Sequence, residues 1–216
     1  MRNITLRSIK KSFDSKAVLT GVNFTLSEGG RLALIGENGS GKTTLLKILC
    51  KKLQPDAGEL FGLENGCAYI AQDFSGREGE TPQEFLRRRA RKLPTAVKLV
   101  GESDFELGKQ EVRLQQVRCS DLSGGEKKKL EIVAGLASGA LFVALDEPEN
   151  HLDYQTIEWL IGVLSRFRGG LVFVSHDQYL IDQLADTILE LDDGTITVYS
   201  MKYEEFMNQE ESLDLS

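Results

Sequence analysis

The segment Gly36-Glu37-Asn38-Gly39-Ser40-Gly41-Lys42-Thr43 constrains this chain more than any other, because of what flanks it. Leu32-Ala33-Leu34-Ile35 before it is a short continuous apolar run of the kind a central buried strand carries. Thr43-Thr44-Leu45-Leu46-Lys47-Ile48-Leu49 after it has helical periodicity. A glycine-rich turn between strand and helix lets the backbone curl so that successive N–H groups converge on one anion, and the helix adds the positive end of its dipole. Lysine and threonine at the end of the turn supply what a bare turn lacks. Lys42 suits the β- and γ-phosphates of a nucleotide, and the Thr43 hydroxyl suits Mg²⁺. The reading is a phosphate loop that binds ATP, with Gly36, Asn38, Gly39, Ser40, Gly41, Lys42, Thr43 and Thr44 as nucleotide-binding residues.

A second strand-end motif lies far downstream. Phe142-Val143-Ala144-Leu145 is apolar and runs into two carboxylates, Asp146-Glu147. At the C-terminal edge of a parallel sheet such a pair faces the ligand crevice. Asp146 is then expected in the shell of Mg²⁺, and Glu147 is expected to orient or deprotonate the attacking water. Between the two motifs, Leu122-Ser123-Gly124-Gly125-Glu126 opens a helical stretch, where free backbone N–H groups favour an anion.

The chain has 216 residues, 41% of them hydrophobic, enough for one full core. Its formal charge of −7 gives no general affinity for nucleic acid or anionic membranes. Cys50, Cys67 and Cys119 are odd in number and widely spaced, which suits reduced, packed thiols of the cytosol better than disulfides or a metal site. The first residues lack an apolar signal region, and the longest uncharged stretch, Ile132 to Leu145, is too short to span a bilayer. The expectation is a cytoplasmic chain that crosses no membrane unaided.

Ile4–Phe13 and Val18–Leu26 alternate apolar and polar residues and predict paired antiparallel strands. Cys67–Ala71 predicts a further strand. Thr81-Pro82-Gln83-Glu84 has the cap, the first-turn proline and the glutamate three residues on that start a helix. Helical pattern continues, with breaks, to about Gly139. Two apolar strands follow, Ala140–Leu145 and Leu171–Val174, with a helix between them, and Asp193-Gly194 marks a hairpin between Ile188–Leu191 and Thr195–Tyr199. The predicted architecture is an α/β, RecA-like phosphate-loop core with an N-terminal antiparallel β subdomain. It forms a single domain over 1–216, with a helical subdomain inserted at approximately 73–138. Two basic runs stand out. Arg87-Arg88-Arg89-Ala90-Arg91-Lys92 covers a whole helix circumference and is read first as a solvated helix, with RNA phosphate or a membrane partner as alternatives. Lys127-Lys128-Lys129 is read as exposed or as attracting nucleotide phosphate across a dimer.

Taken in order, these motifs resemble the ATP-binding-cassette (ABC) ATPases across essentially the whole length. In that family two cassettes sandwich ATP between the phosphate loop of one and the Ser-Gly-Gly signature of the other. The resemblance implies that Ser123, Gly124, Gly125 and Glu126 serve the partner's ATP, that Phe13 stacks on adenine, and that Gln72 senses Mg²⁺ and the attacking water. It further implies that Asp153 lies at the dimer interface and that His176 is the switch histidine at the γ-phosphate.

Within the family the chain is most similar to the ABC-F branch, whose soluble members act on ribosomes. The stretches that carry this are Asp146-Glu147-Pro148-Glu149-Asn150-His151-Leu152-Asp153, Val174-Ser175-His176-Asp177 and the tail Val198–Phe206. Glu149 stands where threonine is common, Lys129 and Gln178 where arginine is usual, and Gly30 where an acidic residue is usual. The implied function is an ATPase that dimerises around ATP with a second cassette and acts in translation or antibiotic protection at the ribosome. That chain could be half of a longer two-cassette protein. The alternative is the ATP-binding subunit of a transporter whose permease is a separate transmembrane chain.

Overall fold

The computed structural model describes residues 2–62, 64, 66–102 and 111–214. Alternation builds the first layer. β1 (Asn3–Phe13) and β2 (Lys16–Ser27) pair antiparallel, burying Ile4, Leu6, Ile9, Leu19, Val22 and Leu26 on one face. A strand absent from the sequence reading, β4 (Ala57–Phe61), pairs with β1 to complete a three-stranded sheet. It is mostly exposed, so it lacks the apolar signal that marks a strand in sequence.

The second sheet holds β3 (Arg31–Ile35), β5 (Cys67–Ile70), β6 (Phe142–Asp146), β7 (Gly170–Val174), β8 (Thr187–Asp192) and β9 (Thr195–Tyr199), in the order β5-β6-β7-β3-β8-β9. All pairings are parallel except the β8–β9 hairpin. Asp193 and Gly194 both take positive φ, 43° and 74°, which the tight turn of that hairpin requires. β6 and β7 are buried at every position, as strands covered on both faces must be. The predicted strand from Ala140 begins instead at Phe142, the Ala140 N–H being taken by the Ser138 hydroxyl oxygen at 3.3 Å.

Alternate residues of the parallel strands feed two cores. Leu34, Phe142, Ala144, Val172 and Val174 pack with the antiparallel sheet and with α1 (Lys42–Leu49). Ala33, Val143, Leu145, Leu171 and Phe173 pack with α6 (Tyr154–Ser165), α7 (Gln178–Leu184) and Phe206 of α8 (Tyr203–Asp214).

Between β5 and β6 lie α2 (Pro82–Arg89), α3 (Leu93–Glu102), α4 (Glu111–Gln116) and α5 (Gly124–Leu136). Helix α2 starts in a full capping box, with Thr81 and Glu84 satisfying each other's backbone. Leu130 and Val133 of α5 join Phe85 and Leu86 of α2 in a third cluster, while Ile132 faces the sheet core. Helix α5 thus belongs to both bodies. Two of the arginines at the end of α2 are paired within the insert. Arg88 donates twice to Glu80 at 2.8 Å and Arg89 pairs with buried Glu131 at 2.8 Å, whereas Arg87, Arg91 and Lys92 are exposed, as a solvated helix would leave them.

Leu145 is fully buried in β6, directly behind the acidic pair. Leu145→Ala should lower unfolding free energy by about 2–5 kcal/mol, read as a reduced urea midpoint.

Candidate nucleotide site

Parallel pairing places four strand ends level. Ile70 lies opposite Leu145, Asp146 opposite Val174, and Val174 opposite Leu34. The segments that leave these strands, carrying Gln72, Glu147, His176 and Gly36, therefore emerge along one edge.

The phosphate loop needs its glycines for different reasons. Gly36 has φ 145°, and a Cβ there would lie 2.4 Å from the Leu191 carbonyl oxygen. Gly39, at φ 83°, has open space around it, so conformation alone calls for glycine. Lys42 is 7% exposed and its ammonium donates to the carbonyls of Gly36 at 2.7 Å and Glu37 at 2.8 Å. Burial pulls its pKa below the ordinary lysine value, while the carboxylates of Glu147 and Asp146 push it back up. Ser40 Oγ is buried and finds no partner among the described residues. Asn38, Gly39 and Ser40 line an open groove of about 330 Å³ with Lys16, Val18 and the β8–β9 turn. Thr43 is exposed and Thr44 half-buried at the start of α1.

Glu147 sits at φ 47°, in the left-handed region that few non-glycine residues adopt and that clusters at functional sites. Its carboxylate is the meeting point of three elements. Gln72 Nε2 donates to it at 3.0 Å, Asn150 Nδ2 donates at 2.5 Å, and His176 Nε2 lies 3.6 Å away. Asp146, 4% exposed, accepts from the Tyr69 hydroxyl at 2.8 Å. Burial and that bond together drive the Tyr69 pKa far above its ordinary value, so the phenol remains a donor. His176 and Lys42 line a common cavity of about 220 Å³ with Gly36, Ser175 and Tyr203.

The Ser-Gly-Gly segment lies elsewhere. Ser123 caps α5 and shares a capping box with Glu126, whose carboxylate accepts the Ser123 N–H at 2.8 Å. Ser123, Gly124, Gly125 and Glu126 line a separate cavity of about 410 Å³ with His151, Asp153 and Thr156. Asp153 caps α6 by accepting the Thr156 N–H at 2.8 Å. Phe13, at the exposed end of β1, has the Lys11 ammonium 5.5 Å from its ring centre and does not line the groove.

Sequence reasoning missed Tyr69, Asn150 and Lys128. Tyr69 reaches Asp146 across 77 positions of chain, a pairing without local signal. Lys128 is not exposed as expected: it is 4% exposed, on the core-facing side of α5.

The ABC transporter family profile matches residues 19–150, more than half of the chain. The chain belongs to the ABC transporter family. This ABC cassette is 31% identical to the ribosome protection protein VmlR of Bacillus subtilis, over 99% of the cassette and 36% of VmlR. It is 28% identical to ABC transporter F family member 2 of Arabidopsis thaliana, over 95% of the cassette and 30% of that protein. The cassette thus spans well under half the length of these relatives. Its fold is shared with a solved ATP-binding subunit of an ABC transporter, with a TM-score of 0.81 and 23% identity over 95% of this chain and 92% of that one. Among the described residues of the cassette no helix is long and apolar enough to cross a membrane.

Because the Gly36 Cβ would meet backbone rather than a flexible side chain, Gly36→Ala should distort the loop at a cost of about 1–3 kcal/mol. Titration with a fluorescent ATP analogue should show affinity reduced by about tenfold or more, with the far-ultraviolet circular dichroism unchanged.

Proposed function

We propose that this cassette hydrolyses ATP as one of a pair, and that the pair acts on the ribosome as ABC-F proteins do. The observation that carries the hydrolytic reading is the Glu147 carboxylate, gathered by Gln72, Asn150 and His176 at the strand edge that also bears the phosphate loop.

The residues fit an ATP–Mg²⁺ substrate. The orphaned Ser40 hydroxyl, the glycine-shaped loop and the Lys42 ammonium form a cradle of donors for phosphate oxygens. Thr43, Asp146 and Gln72 offer the oxygen ligands that a hard cation takes. Mg²⁺ bound there would neutralise charge developing on the phosphates. Lys42 orients the terminal phosphates. Glu147 accepts a hydrogen bond from the attacking water and aligns it, and Gln72 and Asn150 hold that carboxylate in place. His176, which shares a cavity with Lys42 and Gly36, is read as the donor to the γ-phosphate. Phe13, exposed at the end of β1, is the aromatic that would supply an apolar face for adenine.

Ser123–Glu126 and Asp153 line a cavity apart from the phosphate loop, which supports the reading that they serve a second cassette's ATP. That second cassette is another copy of this chain or another chain. The similarity to VmlR along almost the whole cassette supports the ribosomal role, and a cytoplasmic location goes with that reading.

Lys42→Ala should lower ATP affinity at least about tenfold. Glu147→Gln should keep binding while lowering turnover by about 100-fold or more, measured as phosphate release. The Glu147→Gln protein with ATP should also co-sediment with ribosomes at low salt. Recovery with membranes, or with neither, would count against the ribosomal role.

A further inference from the structure

Lys128 presents a physical problem. An ammonium that is 4% exposed must find hydrogen-bond acceptors and an opposing charge. Its three N–H groups meet three carbonyls: Ala71 at 3.0 Å, Gln72 at 3.2 Å and Asp146 at 3.4 Å. Carbonyls satisfy the donors and leave the charge uncompensated.

Glu149 has a carboxylate oxygen left over to compensate that charge. Its Oε1 accepts from the Ser175 hydroxyl at 2.7 Å and from the His176 N–H at 2.9 Å. Its Oε2 is buried without a hydrogen-bond partner. Burial depresses the Lys128 pKa, and among the carboxylates that oppose this Glu149 acts most strongly, ahead of Asp146, Glu131 and Glu147. Two of those have closer partners of their own: Asp146 accepts from Tyr69, and Glu131 pairs with Arg89.

The places that this pair joins are the ones that matter. Lys128 is on the first turns of α5, rigidly downstream of the Ser123 cap. Its carbonyl partners flank Gln72 and Glu147, and Glu149 holds the backbone of His176. We propose that Lys128, with Glu149 as its counter-charge, is a positioning residue that ties the helix bearing Ser123–Gly125 to the loops bearing Gln72, Glu147 and His176, so that engagement of one half-site is transmitted to the other within a single chain. The inference rests on the hydrolytic reading above, with Ser123–Gly125 serving a second cassette.

Four proteins test it: wild type, Lys128→Met, Glu149→Gln and the double variant. The glutamine keeps acceptor geometry toward Ser175 and His176 and removes only charge. Lys128→Met leaves the buried Glu149 Oε2 without a counter-charge, so it should lower the melting temperature, and adding Glu149→Gln should restore part of that loss. Losses that simply add in the double variant would overturn the pairing. Lys128→Met should also reduce kcat by about ten- to hundredfold, with ATP affinity within about threefold of wild type. A stability loss with kcat intact would make Lys128 merely structural and overturn the positioning role.

Hydrogen exchange of the peptides carrying Gln72 and His176 gives a readout independent of turnover. Both should exchange faster in Lys128→Met while α1 is unchanged, and unchanged exchange would overturn the inference. Wild-type protein that binds ATP without hydrolysing it would sink the hydrolytic reading instead, a result distinguishable from both failures above.

Discussion

The levelling of strand ends in the parallel sheet is the constraint on which the rest of this molecule depends. Parallel ladders carry evenly spaced hydrogen bonds, so the pairings of Ile70 with Leu145, Asp146 with Val174, and Val174 with Leu34 set one edge without further adjustment. Residues far apart in the chain then leave that edge together. A slip of one residue in any of these strands would turn its core side chains to the opposite face, which the two buried clusters forbid. Ordinary hydrophobic burial therefore does the geometric work that the site requires.

Charge is handled differently in the two bodies that meet at this edge. In the insert, Arg88 and Arg89 are paired with Glu80 and Glu131, while Arg87, Arg91 and Lys92 of the same basic run are exposed. At the edge, carboxylates outnumber their direct cationic partners. Glu147 is held by amides, and Asp146 by a phenol. An acidic cluster held by neutral donors keeps room for cations, which is the electrostatic condition for a nucleotide with its metal. Lys42 and Lys128 approach the cluster from either side, one from the phosphate-loop helix and one from the helix that starts at Ser123.

Much of this was legible before any coordinates. The hairpin at Asp193-Gly194, the capping box at Thr81, and the apolar strands running into Gly36 and Asp146 all announce themselves through local chemistry or periodicity. What escaped has a common physical cause. β4 is exposed and carries little apolar pattern, and α8 sits in a polar tail whose apolar anchor, Phe206, is visible only against the sheet. Lys128 lies among three lysines, and nothing local distinguishes the buried one from its neighbours. Lys127 instead donates to the Ser120 carbonyl, and Lys129 lies 5.8 Å from the Trp159 ring centre. The Sγ atoms of Cys50 and Cys67 lie 2.7 Å apart as free thiols, another proximity that spacing in the chain does not reveal.

The sequence by itself determined the phosphate loop, the acidic strand end and the layered α/β architecture, because each depends on residues adjacent in the chain and on short-range periodicity. Tertiary structure alone decided which side chains hold the carboxylates of Asp146 and Glu147, and that Lys128 is buried. Those outcomes depend on strand order and register, which bring together groups separated by tens of residues, and on burial, which changes what a charge costs.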